Sequence, residues 1–283
     1  MKEEEFMMVG SDSLDDKIRK AIRLLKSINS ECVEVSYSGG KDSDVILELC
    51  KMAGINFRAI HKCTTIDPPC TLKHCRDNGV EILRPKISML EIIKKKGFPT
   101  RRSRHCCSIL KEYKVMPIAV QGIRKTESVK RKALYKEPII CRVYGSKKNK
   151  AQIVLPILDW TDEDVKRFIV KRQIKVHPIY YELGFLNVKE RLGCIGCPLA
   201  SDNGISDFKR YPKMLKAWLK AGEVWWNTHP NVKSRKKFKN IYELFVHNVF
   251  FKTYEDFENA MTDKIIGEID CKAFLENYFK VKL

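Results

Sequence analysis

Two kinds of apolar pattern alternate along the first 200 residues of the chain. Short apolar runs predict strands at residues 32–37, 55–60, 80–83, 115–121, 138–144 and 153–158. Apolar residues at helical spacing predict helices over residues 14–28, 71–77 and 88–96, and after residues 40 and 161. Such alternation is typical of βαβ units. We therefore expect an α/β fold, with a mainly parallel twisted sheet and flanking helices, of the Rossmann-like kind.

The pattern changes after Cys197, where it becomes helical and rich in aromatic residues. We therefore expect an N-terminal helix within residues 1–30, an α/β domain at residues 31–200 and a helical C-terminal extension at residues 201–283. Phe208, Leu215 and Trp218 lie at helical spacing, which favours packing in a core over stacking on nucleic-acid bases.

A turn of small residues joins the first predicted strand to the helix that follows it. Its sequence, at residues 38–43, is S-G-G-K-D-S. Two glycines let the backbone approach an anion closely, and the free N–H groups of a helix start point toward that anion. The order of residues matches neither the Walker A loop nor the G-x-G-x-x-G dinucleotide fingerprint. The turn therefore predicts a phosphate site of another kind, with an ordinary strand-to-helix turn as the alternative.

Composition limits the location of the protein and the use of its cysteines. No apolar run approaches 18 residues, and the acidic N-terminus lacks an apolar signal core. We therefore expect no membrane partner and a cytoplasmic location. The 11 cysteines are an odd number in a chain expected to stay reduced, so metal or redox chemistry explains them better than disulfides.

Two cysteine pairs, Cys106-Cys107 and Cys194-x-x-Cys197, stand 87 residues apart. Four thiolates in two pairs could close one metal site. Adjacent cysteines suit a single tetrahedral zinc ion poorly, but they can bind different corners of an iron–sulfur cube. The pairs therefore predict a 4Fe-4S cluster, with zinc or two unrelated thiol pairs as alternatives.

The net charge of +19 is spread unevenly along the chain. Residues 94–150 contain 18 Lys and Arg against three acidic residues, a net charge of +15. A block of this kind suggests a polyanionic partner such as nucleic acid. Arg101, Arg102 and Arg104 flank the first cysteine pair and are the candidate nucleic-acid contacts; a solvated basic surface is the alternative.

These blocks together resemble the phosphoadenosine phosphosulfate (PAPS) reductase family, iron–sulfur type, of the PP-loop ATP pyrophosphatase superfamily. Residues 38–43 resemble the PP-loop, which holds the phosphates of ATP or of a sulfonucleotide. The other matching blocks follow in the family's order, at residues 65–69, 106–111, 122–131, 156–161 and 193–198. The resemblance covers about residues 30–200 and implies an adenine nucleotide alpha hydrolase-like fold.

The resemblance also implies site residues. The nucleotide-binding set that it implies is Ser38, Gly39, Gly40, Lys41, Asp42, Ser43, Thr65, Asp67, Gly122, Arg124, Ser128 and Arg131. The catalytic set is Lys41, Asp42, Arg124 and Glu127, and the cluster ligands are Cys106, Cys107, Cys194 and Cys197. Asp42 or Asp67 would hold Mg²⁺, and Arg124 and Arg131 would bind phosphate.

One departure from the family affects the expected reaction. Sulfonucleotide reductases carry a nucleophilic cysteine in an E-C-G-x-H setting near the C-terminus, whereas the only late cysteine here is Cys271, followed by Lys272 and Ala273. We therefore expect an iron–sulfur ATP pyrophosphatase that adenylates a target, for which nucleic acid is a candidate. Sulfur from a donor protein is then transferred to that target. The alternatives are a reductase acting on PAPS or adenosine phosphosulfate (APS), which releases sulfite, and a non-catalytic nucleic-acid-binding module.

Overall fold

The structure is a computed structural model that describes residues 13–144, 150–263 and 267–283. Its strands are β1 (Val33–Ser36), β2 (Phe57–Lys62), β3 (Glu81–Leu83), β4 (Ile118–Val120), β5 (Ile139–Val143), β6 (Lys150–Val154), β7 (Thr262–Asp263) and β8 (Gly267–Glu268). Its helices are α1 (Leu14–Lys26), α2 (Lys41–Ala53), α3 (Thr71–Asp77), α4 (Met89–Lys96), α5 (His105–Leu110), α6 (Val129–Leu134), α7 (Asp162–Lys171), α8 (Ile205–Arg210), α9 (Pro212–Thr228), α10 (Ile241–Phe250), α11 (Tyr254–Met261) and α12 (Cys271–Phe279).

Six strands form one sheet in the order β3-β2-β1-β4-β6-β5. All neighbours in it are parallel except β5, which pairs antiparallel with β6 at the edge. The mainly parallel sheet with flanking helices confirms the predicted fold class. Strand β1 lies between β2 and β4. The chain first adds β2 and β3 on one side of β1 and then returns to add β4 on its other side. The turn after β1 therefore occupies a topological switch point, where ligands of such folds bind.

The chain divides into two compact units. The first unit comprises residues 1–62, 69–83 and 114–192, and it contains the six-stranded sheet. Its main core packs α1, α2 and α7 with β1, and Val35, Leu49 and Phe168 are among its fully buried residues. The Ser13 side chain caps α1 by accepting the Asp16 N–H. Ser11 and Asp12, which by residue type could also cap this helix, lie outside the described residues.

The second unit is helical and comprises residues 63–68, 84–113 and 193–283. Its core contains Phe208, Leu215 and Trp218, all buried, so the prediction that these residues pack in a core is confirmed. Phe98 packs against Trp218 and Phe245 in the same core. The division of the chain at residues 30 and 200 stays a prediction.

Most predicted elements are present, with strand ends that differ by a few residues. The predicted strand 153–158 is wrong beyond Val154, where β6 ends, and the Leu158 N–H bonds back to the Leu155 carbonyl in a turn. Pro156 within that turn has no N–H to give to a sheet. The polar residues 145–150 predict a loop before this strand; residues 145–149 lie outside the described residues, and Lys150 already belongs to β6. No described helix is both long and apolar enough to cross a membrane.

Candidate functional site

The turn at residues 38–43 joins β1 to α2 in the first unit. Gly39 has a φ of +83°, a left-handed conformation that favours glycine. Gly40 is the N-cap of α2 and supplies no side-chain cap. The Ser43 and Asp44 N–H groups bond the Gly40 carbonyl, and the Lys41 N–H bonds a tyrosine hydroxyl. In the described part of the chain, this leaves the Asp42 N–H of the first turn for an anion. Ser43 Oγ donates to the Gly40 carbonyl at 2.6 Å and fixes the turn. Ser38, by contrast, is exposed.

Asp42 is held between two cations. Arg124 Nε donates to Asp42 Oδ1 at 2.7 Å, and Lys41 Nζ donates to Asp42 Oδ2 at 3.0 Å. Arg124 is only 1% exposed, and its other nitrogens donate to Asp162 Oδ1 at 2.8 Å and to Thr126 Oγ1 at 2.9 Å. A buried guanidinium with this many partners is a rigid support, because each partner would be left unpaired by movement. Arg124 therefore fixes the direction of the Asp42 carboxylate.

The segment after β4 folds back on itself beside Arg124. Glu127 Oε2 accepts the Arg124 backbone N–H at 3.0 Å and forms an ion pair with Arg131. Ser128 caps α6 by accepting the Arg131 N–H at 3.1 Å. Burial lowers the pKa of Arg131. The structure thus joins Arg124, Glu127, Ser128 and Arg131 in one local network, which touches the turn through the contact of Arg124 with Asp42.

Gly122 allows β4 and the start of α2 to come together. A Cβ atom built on Gly122 would lie 2.8 Å from the Asp42 carbonyl oxygen and 3.0 Å from its carbonyl carbon. Both are backbone atoms, so they can move away only if the helix start moves. Position 122 therefore requires a glycine, because its backbone lies very close to the backbone of Asp42 at the start of α2.

Gly122→Ala is expected to displace the start of α2. Forcing a methyl group into a packed site costs about 1–3 kcal/mol of unfolding free energy. We expect this loss in urea unfolding, together with weaker nucleotide binding. Unchanged stability and binding would show that the turn tolerates the displacement. Gly184→Ala is the comparison for binding: nothing lies within 4 Å of the added carbon there, so its loss of stability comes from the φ of +80° alone and nucleotide binding should be unchanged.

Thr65 and Asp67, two further predicted nucleotide contacts, belong to the second unit. Asp67 accepts both the backbone N–H of Thr64 at 2.8 Å and its hydroxyl at 2.7 Å. Thr65 Oγ1 accepts the Met89 N–H at 2.9 Å at the start of α4. These bonds shape their own loop. A nucleotide contact for either residue stays a prediction.

A buried polar network lies on α2 just past the turn, and the sequence did not reveal it. Asp44 Oδ1 accepts from the Tyr37 hydroxyl and lies 2.9 Å from His74 Nε2. Burial raises the pKa of Asp44. The network connects β1, α2 and α3 through side chains that are all buried. It holds the first turn of α2 in place.

The four predicted cluster cysteines come together in the second unit. Cys106 and Cys107 lie on α5, and Cys194 and Cys197 lie in the loop before α8. All four line one small cavity of about 40 Å³. The charge of the Cys194 thiolate raises the pKa of Lys111, which also lines the cavity and hydrogen-bonds to Cys194. A hydrogen bond from the Cys106 thiol lowers the pKa of Cys107 to about 6.

The four cysteines offer only thiols, which are the donors of zinc sites and of iron–sulfur clusters alike. Within residues 13–144, 150–263 and 267–283, no group of three or more His, Cys, Asp or Glu is arranged to hold a metal ion. Four thiols around one cavity still match the ligands of a cluster whose iron atoms are separate. Trp218 lines the same cavity, and its Nε1 is a buried donor without a hydrogen-bond partner in the described part of the chain.

The three candidate nucleic-acid contacts differ in their surroundings. Arg101 Nε donates to Asn203 Oδ1 at 2.8 Å, and its Nη2 donates to the Ala200 carbonyl at 2.6 Å. Arg102 and Arg104 are exposed, and Arg104 is the N-cap residue of α5. Arg101 therefore has a structural role, and the other two are better placed to meet a polyanion.

A sequence model of the phosphoadenosine phosphosulfate reductase domain matches residues 32–200, more than half of the chain. The chain belongs to this family. PAPS reductase from Candida auris, solved as a phosphate complex, is similar at 16% identity and a TM-score of 0.45, over 66% of this chain and 96% of that one. FMN adenylyltransferase from Candida glabrata is similar at 17% identity and a TM-score of 0.42, over 68% and 66% of the two chains. No curated protein matched the sequence.

Membership in the PAPS reductase domain family makes the chain a PP-loop protein of a nucleotide-using enzyme family. The residues of the PP-loop block and of the 122–131 block meet in one unit through the bond from Arg124 to Asp42. Their binding of a nucleotide stays a prediction. Sequence reasoning missed Asp162, which pairs with Arg124 from the first turn of α7. The available signal was an acidic residue directly after the capping residue Thr161.

Proposed function

We propose that this chain is an iron–sulfur ATP pyrophosphatase that activates a target by adenylation and then transfers sulfur to it. The observation that carries the proposal is the arrangement of Lys41, Asp42 and Arg124 at the open start of α2. This arrangement offers a positive charge and backbone donors to a phosphate chain.

The proposed reaction has two steps. An oxygen of the target attacks the α-phosphorus of ATP, the new O–P bond forms, and the bond to the β-phosphate oxygen breaks with its electron pair leaving on pyrophosphate. The terminal sulfur of a donor persulfide then attacks the activated carbon, the C–S bond forms, and AMP leaves as the C–O bond breaks. A second thiol of the donor attacks the donor's own sulfur in the resulting S–S bond, so the transferred sulfur stays on the target and the donor is left with a disulfide. Lys41 would stabilise the negative charge that develops on the phosphates in the first step.

Asp42 is the residue that would hold Mg²⁺ in the first unit. Its carboxylate is already fixed by Arg124 and Lys41, so a further ligand would meet it in a set direction. Bound Mg²⁺ would neutralise phosphate charge. We assign Arg124 the role of positioning Asp42, since protein groups engage each of its nitrogens.

The state of Cys271 supports ATP over a sulfonucleotide. Cys271 is 3% exposed at the start of α12, and burial raises the pKa of its thiol to about 12. A reductase of this family needs a reactive thiolate to take the sulfonate group, and a buried protonated thiol is a poor nucleophile. Membership in the PAPS reductase domain family still favours the reductase as the second candidate.

The cluster is proposed to be held by Cys106, Cys107, Cys194 and Cys197. When bound, an iron–sulfur cluster supplies redox or structural chemistry at the cavity that they line. Because that cavity is small, loading requires the four side chains to move outward. Lys111 would compensate the negative charge of the thiolates.

The deciding experiment compares two substrates on anaerobically purified protein. We expect release of pyrophosphate from ATP and no release of sulfite from PAPS in the presence of a dithiol reductant. Sulfite release with Cys271 intact, and its loss in Cys271→Ala, would establish the reductase instead. Nucleic-acid binding without turnover of either nucleotide would favour the non-catalytic module.

A nucleic-acid acceptor is proposed from the basic residues beside the cysteines. If Arg102 and Arg104 contact phosphates, the double change to alanine should flatten the salt dependence of binding. Each lost phosphate contact reduces the slope of log Kobs against log salt concentration by about 0.9 for duplex DNA or 0.7 for single strands. We therefore expect the slope of the double variant to be smaller by about 1.4–1.8. Binding titrations at several salt concentrations measure this slope.

Lys166→Ala with Arg167→Ala is the control pair, since both residues are exposed on α7 and lie outside residues 94–150. A slope unchanged by the arginine pair would show that the segment is a solvated surface. Failure of the wild-type protein to bind DNA or RNA would favour a small-molecule or protein acceptor.

A further inference from the structure

The Tyr180 side chain lies against the turn at residues 38–43. Tyr180 ends in a hydroxyl that accepts the Lys41 backbone N–H at 3.0 Å. A Cβ atom on Gly40 would come within 3.2 Å of the same hydroxyl, and the Lys41 ammonium lies 5.6 Å from the centre of the ring. Tyr180 comes from the short 3₁₀ helix Pro178–Tyr181, which follows α7. It is therefore part of the wall around the predicted phosphate site.

The hydroxyl oxygen already accepts one hydrogen bond, from the Lys41 N–H. A phenol oxygen has two acceptor positions and one proton to donate. The bond to Lys41 uses an acceptor position and leaves the proton to be donated. Burial raises the pKa of Tyr180, so the group keeps that proton at neutral pH.

That proton has no acceptor in the described part of the chain. Tyr180 is 1% exposed, and the bond of its hydroxyl there is the one that it accepts from the Lys41 N–H. A buried donor that is left without an acceptor is costly. An anion bound at the glycine turn would supply the missing acceptor, because it would lie beside the Lys41 backbone to which the hydroxyl is bonded.

We propose that the Tyr180 hydroxyl donates a hydrogen bond to a phosphate group bound at the turn of residues 38–43. The inference rests on the proposed function in that it assumes a nucleotide with a phosphate chain. It adds a phosphate ligand from outside the glycine turn. Tyr180 thereby connects the 3₁₀ helix Pro178–Tyr181 to the turn, since its hydroxyl holds the Lys41 backbone.

The test measures binding to the full-length chain by calorimetry, with ATP, pyrophosphate and adenosine as separate probes. Tyr180→Phe keeps the ring and removes the donor. We expect ATP and pyrophosphate to bind roughly tenfold more weakly, which is the scale of one hydrogen bond to a charged group. Adenosine, which has no phosphate, should bind as it does to the wild type. A role limited to accepting the Lys41 N–H predicts the same loss in Tyr180→Phe, but weaker pyrophosphate binding with 3-fluorotyrosine at position 180, whose hydroxyl is a weaker acceptor and a stronger donor.

The neighbouring tyrosine is the matched control. Tyr181 belongs to the same 3₁₀ helix and is 45% exposed, so Tyr181→Phe should leave all three affinities unchanged. If Tyr180→Phe does not fold, 3-fluorotyrosine at position 180 replaces it. Its more acidic hydroxyl is a stronger donor and should tighten pyrophosphate binding, whereas unchanged or weaker binding would count against a donor role.

Two results would overturn the inference while the proposed function stands. The first is equal binding of pyrophosphate by the wild type and Tyr180→Phe. The second is tighter binding by Tyr180→Phe, which would mean that the hydroxyl competes with phosphate for the Lys41 N–H. A wild-type chain that binds neither ATP nor pyrophosphate would contradict the inference and the proposed nucleotide chemistry together.

Discussion

Lys41→Ala is expected to lower nucleotide turnover by at least about 100-fold, the usual cost of removing one group that stabilises developing charge. Lys41 is the cation beside the open start of α2, and its ammonium is 3.0 Å from Asp42. The fold should persist, because Asp42 keeps its bond to Arg124 and the strand behind the turn is apolar. Pyrophosphate release measures the turnover, and thermal unfolding checks the fold.

Lys51→Ala is the control for this experiment. Lys51 lies in the last turn of the same helix and is exposed, so its removal changes the net charge equally without touching the turn. Turnover should match that of the wild type. Retention of wild-type activity by Lys41→Ala would show that the turn is merely structural.

Cys194→Ser is expected to remove the iron and the brown colour of anaerobically purified protein. A serine hydroxyl is a much poorer ligand for iron than a thiolate, and Cys194 is one of four thiols around the cavity. Iron and sulfide analysis together with the visible absorption spectrum measure the loss. We expect near-complete loss, since a cube with three protein thiolates has one unprotected corner.

Cys271→Ala should leave the colour unchanged. Cys271 is buried in the same unit but does not line the cavity, and alanine avoids placing a hydroxyl in an apolar core. A colourless wild-type protein with one bound zinc would contradict the cluster. Equal iron content in Cys194→Ser and the wild type would remove Cys194 from the ligand set.

Local chemistry made several elements predictable from sequence. Ser88 and Thr161 each accept a backbone N–H three residues ahead, and both helices begin where these residues predict. Short capping contacts depend only on neighbouring residues, so no tertiary information is needed. The parallel sheet was also predictable, because the alternation of short apolar runs with helical spacing can be recognised from neighbouring residues. Helix α5 was missed because six residues carry too little periodicity.

The contacts that shape the site were beyond the reach of local patterns. Arg124 was predicted to bind phosphate. In the structure it is buried, and it bonds to Asp42 and Asp162, which lie 82 and 38 positions away in the sequence. Nothing in the sequence around Arg124 indicates such partners. The same holds for Tyr180, whose bond to Lys41 spans 139 positions. Motifs therefore located the turn, whereas the side chains that support it follow from tertiary packing.

The second unit draws its residues from three separate stretches of chain, 63–68, 84–113 and 193–283. The two cysteine pairs come from the second and third of these stretches. During synthesis, a further 90 residues must therefore be made after Cys107 before the second pair is complete at Cys197. Contacts of such long range form late in folding, because a large loop must close before they can stabilise anything. The cavity lined by the four thiols is thus a product of the finished chain, and any cofactor it takes has to arrive after translation has passed Cys197.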